Sequence, residues 1–129
     1  MTSSRAGIGL IARNGLSFLC KDMTFTQSGD WGVYAQNTKG RLINCVITQC
    51  AYSGIDCGEN ALIELEGDQT KVDGNATNGG GYGLYATTPS SMIHLLFPLT
   101  QESVSTNNHG GRNYHSDVGT IETVDAFIF

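Results

Sequence analysis

One six-residue phrase recurs along this chain. It reads WGVYAQ at 31–36, SGIDCG at 53–58 and YGLYAT at 82–87, with a looser copy, IGLIAR, at 8–13. Its glycines stand at 9, 32, 54 and 83, in steps of 23, 22 and then 29 residues. A period in the twenties is the mark of a solenoid, in which each repeat buries its apolar face only against its neighbours. Within the phrase the side chains alternate with the two-residue period of a strand. Leu10, Val33, Ile55 and Leu84 form an aliphatic column, and Ala12, Ala35, Cys57 and Ala86 a column of small residues two positions on. Ile11, Tyr34, Asp56 and Tyr85 fall between those columns and must face the other way.

A second apolar stretch follows each copy: LSFLCKDMTF (16–25), RLINCVITQC (41–50), ALIEL (61–65) and SMIHLLF (91–97). Two or three short strands per repeat, divided by Gly, Asn and Ser turns, leave no room for helices between parallel strands. The Leu-x-x-Leu-x-Leu pattern of leucine-rich repeats is missing. The fold expected is all-β, a right-handed parallel β-helix of about four coils of about 22 residues over 1–97. Residues 66–81, EGDQTKVDGNATNGGG, read as a long loop, and Asp22 and Asn44 as polar residues at coil turns. Residues 98–129 leave the repeat and read as a non-repeating β segment that caps the stack or joins subunits. Its end alternates Val124, Ala126 and Ile128 with Asp125, Phe127 and Phe129, a strand that wants a partner.

Composition removes several classes. Seven basic residues, scattered singly against 12 acidic ones, make no stripe for phosphates, so no nucleic-acid partner is expected. No apolar run approaches the ~20 residues that span a bilayer, and the N-terminus lacks the apolar segment of a signal peptide. Cys20, Cys45, Cys50 and Cys57 have no zinc spacing. Three of them occupy apolar or small positions of the repeat and read as buried free thiols, which suits synthesis in a reducing cytoplasm. Asp73, Asn75 and Asn78 are oxygen ligands without EF-hand spacing, so neither a metal nor a cofactor is expected.

The stretch INCVITQCAYSGIDCGENALIEL (43–65) resembles a coil of the pectate-lyase-like parallel β-helix superfamily, and the likeness covers roughly 6–97. Within that superfamily the chain is most similar to phage tailspikes and tail fibres. The resemblance implies a homotrimer that recognises host surface polysaccharide, borne on a virion tail if viral and otherwise secreted or at a cell surface.

The outward letters carry the chemistry. Trp31, Ser53 and Tyr82 stand just before each glycine, next to the column of Tyr34, Asp56 and Tyr85. Aromatic faces stack on the C–H groups of sugars, and a carboxylate bonds vicinal hydroxyls, so Trp31, Tyr34, Asp56, Tyr82 and Tyr85 read as a carbohydrate-binding wall. A polysaccharide-cleaving enzyme, a glycoside hydrolase or lyase, is the alternative, with Asp30, Asp56 and Glu59 as its carboxylates. An inert structural shaft is a third reading.

Overall fold

The computed structural model describes residues 2–4, 7, 9–15, 17–116 and 118–126. Five successive passes of the chain each contribute three short strands. These are β1 (Thr2–Ser4), β2 (Leu10–Arg13) and β3 (Phe18–Lys21); β4 (Thr24–Thr26), β5 (Val33–Gln36) and β6 (Lys39–Ile43); β7 (Val46–Thr48), β8 (Ile55–Gly58) and β9 (Leu62–Glu66). Then come β10 (Lys71–Asp73), β11 (Leu84–Ala86) and β12 (Met92–Leu96), and last β13 (Ser105–Thr106), β14 (Tyr114–His115) and β15 (Thr120–Val124). They form three five-stranded sheets visited in rotation: sheet A is β1-β4-β7-β10-β13, sheet B is β2-β5-β8-β11-β14 and sheet C is β3-β6-β9-β12-β15. Every pairing is parallel. The protein is thus all-β, an arrangement compatible with a parallel β-helix.

Register converts the sequence columns into ladders. Leu10, Val33, Ile55 and Leu84 lie directly opposite one another on β2, β5, β8 and β11, as do Ala12, Ala35, Cys57 and Ala86. The inner faces of all three sheets share one core, with Ile47 and Val72 from A, Val33, Ile55 and Leu84 from B, and Leu42, Ile63, Leu65, Ile93 and Leu95 from C. Each such aliphatic side chain, fully buried, contributes about 1.5–3 kcal/mol of transfer free energy. The four cysteines are free thiols; Cys45, Cys50 and Cys57 are buried in this core and Cys20 partly so. Burial pushes the Cys57 thiol up to about 12.

The glycine of the phrase is there for space, not for backbone conformation. A Cβ at Gly9, Gly32 or Gly54 would lie within 2.9 Å of the carbonyl oxygen of Gly32, Gly54 or Gly83 on the next pass. Left-handed backbone is confined to the corners instead: Asn14, Asn37 and Asn60 after sheet B, Asp22, Asn44 and Gly67 after sheet C, Gln27, Gln49, Gly74 and Asn107 after sheet A. Asp22 and Asn44 therefore do sit at turns, and Asn44 Oδ1 accepts from the Gln69 N–H at 3.0 Å. Asparagine tolerates positive φ and bonds locally, which accounts for its abundance here.

Inside the corner between sheets A and B, Asn75 and Asn108 stack. Asn75 Oδ1 accepts from the Cys50 N–H at 3.0 Å and its amide donates to Ile47 O, while Asn108 Oδ1 accepts from the Asn75 N–H at 2.8 Å. Buried backbone groups that the turn would orphan are satisfied in this way.

Two expectations are revised. Residues 66–81 are not one long loop, because Lys71–Asp73 pairs with β7 and places Val72 in the core. A single inward apolar residue among polar neighbours gave no alternation to detect. The segment set apart at 98–129 adds a strand to each sheet, β13, β14 and β15, after one short helical turn at Gln101–Val104. The aromatics Phe127 and Phe129 lie outside the described residues.

Candidate functional site on the outer face of sheet B

The central outward ladder of sheet B runs Ile11, Tyr34, Asp56, Tyr85, His115, each opposite the next. Adjacent rungs are about 4.8 Å apart, so Tyr34 and Tyr85 stand about 10 Å apart with Asp56 between them. Trp31 and Tyr82, one residue before their glycines, lean onto this ladder. Trp31 meets Tyr34 edge to face at 4.8 Å between ring centres, and Tyr82 meets Tyr85 in the same manner at 4.9 Å. T-shaped pairs at this distance are favourable arrangements of aromatic quadrupoles.

Each pair recruits a further ring and a cation. Tyr52 lies 5.7 Å from Trp31, and the Arg13 guanidinium carbon 5.6 Å from the Tyr34 ring centre. On the other side His115 lies 4.7 Å from Tyr82 and 5.2 Å from Tyr85. The Arg112 guanidinium carbon sits 4.4 Å over Tyr82, and its Nε donates to Gly81 O at 2.7 Å. The face therefore holds two aromatic–arginine clusters with one carboxylate between them.

Asp56 is half-buried in this setting. Burial raises its pKa from the ordinary 3.8 to about 6, and a hydrogen bond donated by the Trp31 side chain moderates that rise. Desolvation disfavours the charged form, and the indole N–H recovers only part of the lost hydration.

All five residues expected to form the wall are thus on one face: Trp31, Tyr34, Asp56, Tyr82 and Tyr85. Ser53, placed by the frame in the same row as Trp31 and Tyr82, is instead fully buried, with its hydroxyl accepting from the Tyr82 N–H at 3.0 Å. Tyr52, one position earlier, takes the outward role. Sequence reasoning also missed Arg13, Arg112 and His115. Arg13 stood in the open, as the last letter of IGLIAR. The other two belong to a fifth copy of the phrase, RNYHSD at 112–117, that lacks the glycine.

The three carboxylates named for catalysis are spread out. Asp56 lies mid-strand on β8. The Asp30 N–H donates to Gly7 O at 2.7 Å and its side chain turns toward Gly7; Glu59 is exposed in the turn after β8, its carbonyl accepting from the Asn37 N–H. Asp30 and Glu59 lie beyond opposite strand ends, their backbones more than about 13 Å apart, whereas paired glycosidase carboxylates stand roughly 5–9.5 Å apart.

Sheet C offers a contrast. Its outward ladder is Leu19, Arg41, Glu64, His94, Glu122. Glu64 is buried but paired with Arg41 at 3.1 Å, and His94 Nε2 lies 3.1 Å from Glu122 Oε2, a close approach without directed hydrogen-bond geometry. Among the described residues no group of three His, Cys, Asp or Glu side chains is arranged to hold a metal ion, and no helix is long and apolar enough to cross a membrane.

No protein-family model matches the chain, and no curated protein or solved structure is significantly similar to it.

Proposed function

We propose that this protein is a glycan-binding segment carried on a right-handed parallel β-helix of the pectate-lyase-like kind, with the outer face of sheet B as its binding surface. One observation carries the reading: two aromatic clusters, each with a stacked arginine, flank a single half-buried carboxylate on an open, ladder-built face. Rings held edge to face present rigid apolar surface for sugar C–H groups at little entropic cost, and Asp56 supplies the acceptor that orients hydroxyls. In this proposal the surface polysaccharide of a host cell is the ligand and a homotrimeric tailspike or tail fibre the setting; the setting rests on the likeness of residues 43–65 to coils of that type.

The test is a glycan array probed with the wild-type protein and with Trp31→Ala, Tyr34→Ala and Tyr85→Ala, each first shown to retain its far-UV circular dichroism. The retained glycan should bind the variants at least about tenfold more weakly, one aromatic contact being worth roughly 1.4 kcal/mol or more. Equal binding by all three variants, or no retained glycan, rejects the reading in favour of an inert shaft.

A second reading has one observation behind it. A carboxyl with pKa near 6 is suited to a general acid in glycoside cleavage. Asp30 and Glu59 lie beyond opposite ends of the strands, so in this reading only one of them at a time could serve as the second carboxylate beside Asp56. Release of reducing ends from a bound polysaccharide, abolished by Asp56→Asn, would establish cleavage.

A further inference from the structure

The chain carries 12 acidic and seven basic residues, a net charge of −5, so its few cations have carboxylates in excess to pair with. Arg41 does so, on Glu64. Arg13 and Arg112 do not: among the described residues neither forms an ion pair, and both are held instead against tyrosine rings of one face. Arg112 is further fixed through Nε on Gly81 O, which leaves its terminal nitrogens as donors. A guanidinium stacked on a ring and lacking a protein carboxylate is preorganised for a planar anion approaching from solvent.

The positions of the two arginines set a spacing. Arg13 lies over Tyr34 and Arg112 over Tyr82, and Tyr82 packs on Tyr85, two strands away from Tyr34. The cations are therefore separated along the stack by at least about 10 Å, the spacing of the tyrosines they cover, and by at most about 19 Å, the spacing of their own passes four rungs apart; the nearer limit matches the length of a disaccharide. Asp56 stands at the midpoint of that path. Its charge opposes any anion placed there and favours hydroxyl or amide N–H groups.

Resting on the glycan reading above, we propose that sheet B selects an acidic glycan whose carboxylates occur on alternate sugars, one at Arg13 and the next at Arg112, with an uncharged unit over Asp56. The chain of sugars then runs across the strands, along the stack, with its rings on the two aromatic clusters.

Four probes of equal length decide this by titration calorimetry: a hyaluronan oligosaccharide, in which uronate and N-acetylhexosamine alternate; its carboxyl-reduced neutral form; an oligogalacturonate, charged on every unit; and oligo-dT. The alternating probe should bind at least tenfold more tightly than its reduced form and than the oligogalacturonate. Arg13→Gln and Arg112→Gln should each weaken the alternating probe at least about fivefold more than its reduced form and so remove that preference, and Arg112→Lys should retain part of it. Asp56→Asn should bring the oligogalacturonate to within about twofold of the alternating probe. Equal binding of the native and reduced forms, lost in Trp31→Ala, overturns the charge selection and leaves the glycan reading standing. Preference for oligo-dT, or no binding to any sugar, overturns both.

Discussion

Asp56 is held where its charge costs stability, and the cost can be measured. A rise in pKa from 3.8 to about 6 corresponds to an upper bound of about 3 kcal/mol at 1.36 kcal/mol per pH unit. Part of the carboxylate still touches water, which brings the expected value to about 1–2 kcal/mol. The sign follows from the direction of the shift. The folded state holds this proton more tightly than the unfolded chain, so the penalty is complete well above pH 6. It is released as pH falls through 6 and is gone below 3.8. Asp56→Asn keeps an oxygen that accepts the Trp31 hydrogen bond and removes the charge. The variant should therefore be about 1–2 kcal/mol more stable than wild type at pH 7.5 and nearly equal to it at pH 4. Urea unfolding at both pH values, followed by far-UV circular dichroism and by the fluorescence of the one tryptophan, gives the difference. All other titrating groups are common to the two proteins and cancel. A variant no more stable than wild type at pH 7.5, or one with the same advantage at both pH values, would refute the reasoning.

Three further outcomes test the scaffold. Asn75→Ala removes the acceptor of the Cys50 N–H and a donor to Ile47 O inside the corner, and should cost about 2–4 kcal/mol in urea unfolding, against under 1 kcal/mol for the exposed Asn78→Ala. At Gly40 a Cβ would collide with the Phe18 ring on the neighbouring strand, so Gly40→Ala should destabilise by about 1–3 kcal/mol, and Phe18→Leu in the same chain should recover part of it. The Cys57 thiol, buried and pushed up to about 12, should react with a water-soluble disulfide reagent at pH 8 only at the rate of opening, while partly exposed Cys20 reacts at least tenfold faster; comparable rates would contradict the inward placement.

What could be read in the sequence was what close packing makes repetitive. Gly9, Gly32, Gly54 and Gly83 recur because the next pass lies against each of them, and the columns at Leu10 and Ala12 recur because they share one interior. The fifth copy escaped notice for the same physical reason. A Cβ on Gly83 would meet Asn113 O, but no later described pass lies over position 113, so Asn113 stands where the phrase otherwise needs glycine. With that glycine went the frame that would have aligned His115 with Tyr85 and Arg112 with Tyr82. Tyr52 was missed through a local slip: Ser53 turns inward to hold the Tyr82 N–H, and the outward direction passes to its neighbour. Alternation predicts faces along a strand, and Ser53 precedes β8.

The same fold also supplies its own control for locating function. The middle ladders of sheets B and C occupy equivalent outward positions, and each contains an acid shielded from water, Asp56 in one and Glu64 in the other. On sheet C the neighbours answer it: Arg41 lies 3.1 Å from Glu64, and Glu122 stands beside His94. That arrangement is what a scaffold needs, since a buried charge left alone is costly. On sheet B the two arginines stack on tyrosines instead, among the described residues neither forms an ion pair, and Asp56 receives an indole N–H. Moving either cation toward Asp56 would relieve the strain and erase the separated charges. That one ladder is neutralised and the other is not, under the same geometric rules, is the contrast on which the proposed binding role of sheet B rests.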